Sequence, residues 1–135
     1  MNLLPKCLSL AGLVQVAIVL ANLYLPGKLR YGEDLARVTP IVRQVFVTHA
    51  CYVAGIVLLF AALTFEFSGD LSSGRGIGRF LAAAMCLFWL CRIPLQIFYY
   101  DGALRRANRL GDAAMLTALL FLAATYGAAA LGNIA

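Results

Sequence analysis

The sequence predicts an all-α membrane protein: a single four-transmembrane-helix up-down bundle over residues 1–135, with both termini on the non-cytoplasmic side. Three observations carry this expectation. The chain is 63% hydrophobic and 13% charged, against about 45–50% and about 25% in soluble domains, and its mean hydropathy is +0.88. A soluble 135-residue chain cannot hide that much apolar surface, because too many of its residues must face water. The low charge equally excludes a disordered chain. Four apolar runs reach spanning length, and the charges gather between them.

A helix needs about 20 apolar residues to cross a hydrocarbon core of about 30 Å. The runs lie at about 8–25, 41–65, 80–100 and 113–131. Lys6 before the first run resembles the start of a signal peptide. The run is longer than an h-region, however, and no small-x-small site follows it, so it reads as a retained span. Pro26-Gly27 is expected to stop span 1. Thr39-Pro40 supplies an N-cap and a first-turn proline for span 2. The string Ser72, Ser73, Gly74, Gly76, Gly78 makes a flexible turn before span 3. It is no dinucleotide fingerprint, since no strand precedes it. Gly111-Asp112 is expected to break the chain and cap span 4.

Orientation follows from the basic residues. Lys28, Arg30, Arg37, Arg43, Arg105, Arg106 and Arg109 lie on one side, against Lys6, Arg75 and Arg79 on the other. The excess places the loops after spans 1 and 3 in the cytoplasm, as in a multi-pass protein of a bacterial inner membrane. The formal charge of +5 therefore orients the chain and meets lipid phosphates; it is no sign of nucleic-acid binding. The first loop, with Leu29, Arg30, Tyr31, Leu35 and Val38, reads as a solvated connector rather than an interfacial helix. Tyr24-x-x-Gly27-x-Leu29-Arg30 recurs as Tyr99-x-x-Gly102-x-Leu104-Arg105. Independent loop chemistry explains this better than a duplicated hairpin. Cys7, Cys51, Cys86 and Cys91 contain no C-x-x-C pair and read as small apolar residues.

One constellation calls for explanation. Met85, Trp89, Arg92, Gln96, Tyr99 and Tyr100 fall within an arc of about 100° on span 3. An arginine inside the hydrocarbon costs about 2.5–3.5 kcal/mol on insertion scales. No Asp or Glu lies within a span, so Arg92 lacks an acidic partner there. Arg92 and His49 both lie about 12 Å below the cytoplasmic boundary. Spans 2 and 3, joined by a short outer loop, are expected to pack antiparallel and bring the two residues into one layer. Gln44 and Gln96 would form a second layer, with Asn22 at similar depth. The expected ligand pocket comprises Asn22, Gln44, Thr48, His49, Trp89, Arg92, Gln96, Tyr99 and Tyr100. Side chains lean toward a helix's N-terminus, which disfavours snorkelling by Arg92. Pro94 frees the Leu90 carbonyl as an acceptor for it.

Span 4 carries Ala123-x-x-x-Gly127 and Ala128-x-x-x-Gly132, a face for close packing or for a homodimer or membrane-complex partner. His49 is the only histidine, so neither a metal nor a haem ligand set exists within the chain; no cofactor and no catalytic residues are expected. The favoured function is a non-enzymatic accessory or scaffold subunit. The alternative is binding of an anionic lipid headgroup or a quinone, with Trp89 and Met85 flanking the ring. A small oligomeric transporter comes third, since proton coupling generally uses an embedded acid. A lipid-modifying enzyme with His49 as base comes last, because no residue orients the imidazole and no nucleophile accompanies it.

Overall fold

Each apolar run becomes one long helix. In a computed structural model, described over residues 3–132, the helices are α1 (Leu3–Lys28), α2 (Tyr31–Ala36), α3 (Pro40–Glu66), α4 (Ser68–Ser72), α5 (Gly76–Pro94), α6 (Gly102–Ala107) and α7 (Arg109–Leu131). A π-helical turn, Leu95–Tyr99, follows α5. Four of these helices (α1, α3, α5 with its π-turn, and α7) are long and apolar enough to cross a membrane.

Their ends show which punctuation acts. Pro26 sits in the last turn of α1 without stopping it, and the helix runs on to Lys28. The reversal falls at Arg30, which adopts a left-handed φ of 54° before α2. Thr39 is the extended N-cap of α3 with Pro40 behind it, but its hydroxyl makes no capping bond. Gly111-Asp112 does not break the chain. The helix starts earlier, at Arg109, and Asp112 falls in its first turn. α5 ends at Pro94, which cannot donate to the Leu90 carbonyl; the backbone widens into the π-turn instead.

Lipid offers no hydrophobic force to sort helix faces, so close packing of small side chains decides which helices pair. α1 pairs with α3, α5 pairs with α7, and α1 joins the two pairs through α7. Gly12 of α1 admits the Phe65 ring of α3, whose tip would lie 2.6 Å from an added Cβ. Between α5 and α7, the Cys86 thiol donates to the Ala123 carbonyl at 3.3 Å. Met85 and Trp89 are buried in the same core as Leu119, Leu122 and Tyr126. Spans 2 and 3 are therefore not the principal antiparallel pair. α3 meets α5 through the edge-to-face contact of Phe60 with Phe88, whose ring centroids are 5.1 Å apart.

The packing sits in the half of the bundle nearer α4. Buried positions of α1 end at Val19 and those of α3 begin at Val57. At Gly78 the α4 backbone crosses α5 so closely that a Cβ would collide with the Asp70 carbonyl. The opposite end, with α2, α6 and most of the arginines, is open.

Candidate functional site

The polar side chains form three groups, each placed by a different local cause. The first is inside the core. Gln15 of α1, Thr64 of α3 and Tyr126 of α7 are all buried. Gln15 Nε2 donates to Tyr126 Oη. Thr64 Oγ1 donates to the Phe60 carbonyl at 2.7 Å. The Tyr126 proton is therefore directed at Thr64 Oγ1, 2.6 Å away. One phenol thus ties three helices in a single donor direction. Gln15 Oε1 and Trp89 Nε1 are buried without a partner among the described residues. Gln15, Thr64 and Tyr126 lie in three separate apolar runs, and no periodicity within any one run joins them. A comparison of depth, applied to the other half of the spans, would have drawn attention to Gln15.

The second group lies at the arginine end. The π-turn leaves the Ile97 carbonyl free, and Arg105 Nη1 donates to it at 2.6 Å. The other edge of the guanidinium grips Asp112, with Nη2 donating at 2.8 Å and Nε at 3.0 Å. Gln96 Nε2 donates to the same carboxylate at 2.8 Å. Asp112 thus pins α6 and the π-turn to the start of α7. Its hydrogen bonds push the Arg105 guanidinium above its already high ordinary value, so this arginine is always a cation. Beside the clamp lies an open cleft of about 290 Å³, lined by Gly102, Arg105, Arg106, Arg109 and Asp112.

The third group is the outward side of α3. Every residue from Pro40 to Val53 is exposed. Gln44, Thr48, Cys51, Gly55, Leu58 and Ala62 recur at intervals of three and four and form one face. All six are exposed, and they lie on the side away from the buried Val57, Ala61 and Thr64. A shallow groove of about 340 Å³ follows this face along Cys51, Tyr52, Gly55, Ile56 and Leu59. Nothing lies within 4 Å of a Cβ built on Gly55.

The residues expected to share one pocket are divided among these groups. Asn22, Gln44, Thr48 and His49 are exposed on α1 and α3. His49 Nδ1 lies 2.9 Å from the carbonyl of Val45 on its own helix. The arc on α5 faces α7 instead. Met85 and Trp89 are buried there, and Gln96 reaches Asp112 rather than Gln44. Arg92 is half-buried and reaches along its own chain. Its Nη2 donates to Tyr100 Oη at 2.9 Å, with the guanidinium 5.1 Å from the centre of that ring. The arginine thus leans toward the open end, not toward the Leu90 carbonyl. The extended backbone at Tyr100 ends the π-turn where the phenol can receive it. Tyr99 stands exposed, its ring edge-to-face with that of Tyr100.

The small residues of α7 also separate. Ala123 is buried, and a Cβ on Gly127 would lie 3.4 Å from Cys86 Sγ, so both face α5. Ala128 is exposed. Gly132 ends α7 with φ 76° and packs against Gly74 in the loop before α5.

No family model, no curated protein and no solved structure matches this chain.

Proposed function

We propose that the protein is a non-enzymatic membrane scaffold that assembles with a second copy of itself through the outward face of α3. The observation that carries this reading is the unpacked Gln44–Thr48–Cys51–Gly55 face on a helix long enough to span the membrane. Amide and hydroxyl groups facing hydrocarbon lose their water partners, which favours any arrangement that restores hydrogen bonds. Gln44 and Thr48 each offer both a donor and an acceptor, so two copies related by a two-fold axis can satisfy one another. The face carries no charge that would set the copies apart. Gly55 permits close approach of two backbones, as small residues do at helix crossings in membranes.

The orientation belongs to the same proposal. The end bearing Lys28, Arg30, Arg37, Arg43, Arg105, Arg106 and Arg109 faces the cytoplasm of a bacterial inner membrane, with both termini outside.

Energy transfer between donor- and acceptor-labelled chains, reconstituted in vesicles at falling protein-to-lipid ratio, tests the assembly. Transfer that persists on dilution and is lost in Gln44→Leu and Gly55→Leu supports the proposal. Transfer that falls with dilution for the parent chain just as for the variants refutes it.

A further inference from the structure

We infer that the cleft between α6 and the first turn of α7 binds the phosphate group of an anionic lipid. Arg105, Arg106 and Arg109 supply three positive charges and Asp112 one negative charge, leaving the cleft at +2. The carboxylate is not free to repel an anion, because Arg105 and Gln96 already occupy it. Arg105 in turn is held by Asp112 and the Ile97 carbonyl, and serves as a fixed wall. Arg106 and Arg109 have no ion-pair partner among the described residues. The Arg106 guanidinium lies across Gly102, with both terminal nitrogens 4.0 Å from where a Cβ would stand. The absence of a side chain at Gly102 keeps this wall of the cleft low. Planar guanidinium groups are well suited to phosphate, which they can hold through paired hydrogen bonds.

The surroundings set the depth and the kind of ligand. Tyr99 and Tyr100, just before α6, are exposed aromatic residues of the type that settles among lipid headgroups. Leu110 is 87% exposed immediately beside Arg109. A phosphate seated between Arg106 and Arg109 would thus leave its acyl chains beside apolar surface. A lipid headgroup and a soluble phosphate compound share the anion chemistry, but only the lipid uses Leu110.

Native mass spectrometry of the full chain in mild detergent tests the site with three probes: phosphatidylglycerol, phosphatidylcholine and inorganic phosphate. The parent chain should retain phosphatidylglycerol in preference to phosphatidylcholine. Arg106→Gln/Arg109→Gln should weaken that retention by about 30-fold, the effect of two surface charges. Lys28→Gln/Arg37→Gln removes the same charge from the same end and should leave retention within about threefold of the parent, because neither residue lines the cleft and exposed charges that do not touch the anion are weakened by salt. Displacement of the lipid by millimolar inorganic phosphate would keep the anion site but assign it to a soluble phosphate compound; no displacement assigns it to the lipid. Equal losses in the two double variants, or no loss in Arg106→Gln/Arg109→Gln, would overturn the inference.

Discussion

Replacing Tyr126 by Phe removes a single oxygen atom and should loosen three helices at once. The ring remains, so no cavity opens. What disappears is the bond from Gln15 and the bond to Thr64. Interhelical hydrogen bonds in membranes contribute about 0.6 kcal/mol each on average, so the two together account for about 1.2 kcal/mol. Gln15, fully buried with Oε1 already unpaired, would then hold an amide with no partner, at a cost of about 1–3 kcal/mol. Thr64 keeps its bond to the Phe60 carbonyl and adds little. Tyr126→Phe should therefore cost about 2–4 kcal/mol. Gln15→Met makes the opposite prediction. It removes the half-satisfied amide at similar volume and should change stability by less than about 1 kcal/mol. Combining the two should cost less than Tyr126→Phe alone, because no amide is orphaned. The assay is equilibrium unfolding in mixed micelles read by the fluorescence of Trp89, the single tryptophan, which is 2% exposed. A Tyr126→Phe protein as stable as the parent, or a Gln15→Met protein less stable than Tyr126→Phe, would refute the reasoning.

Three further substitutions test other contacts. Gly78→Ala should destabilise by about 1–3 kcal/mol in the same assay, since the added methyl forces the α4 backbone off α5. Arg92→Leu should leave the thermal midpoint unchanged or higher, because it withdraws a charge from the hydrocarbon and forfeits only the Tyr100 contacts; a markedly lower midpoint would count against this account. Asp112→Asn should accelerate hydrogen exchange of the α6 amides several-fold while the α5–α7 core amides stay protected, since the carboxylate is what ties α6 down.

The four spanning helices were legible because each rests on a long apolar run, a signal that survives any error at the ends. The ends were less so. Pro26 looked like a stop, yet a proline in a last turn forfeits little when the chain reverses two residues past the helix at Arg30. Helix pairing was not legible at all. The short loop before span 3 suggested that spans 2 and 3 lie back to back. The contacts of Gly12 with Phe65 and of Cys86 with Ala123 instead draw α1 to α3 and α5 to α7. Such contacts depend on the shapes of facing residues far apart in sequence, which periodicity does not record. For the same reason the arc on α5 was visible as an arc but not as a face turned to α7. Asp112 read as a helix cap, and only the early start at Arg109 turns its carboxylate toward Gln96 and Arg105. The stripe of Gln44, Thr48, Cys51 and Gly55 on α3 is legible in the sequence, because its spacing of four, three and four residues keeps one helical face. Its isolation from the rest of the chain is not.

Cysteine crosslinking in native membranes is the most direct test of assembly through α3. With Cys7, Cys86 and Cys91 replaced by serine, Cys51 alone remains, on the stripe between Thr48 and Gly55 and exposed. Mild oxidation should give a disulfide-linked dimer through Cys51. It should give none when the single cysteine is moved by Cys51→Ser/Ala61→Cys to the buried side of the same helix. A chain that stays monomeric with Cys51, or that links equally well through position 61, would contradict the account.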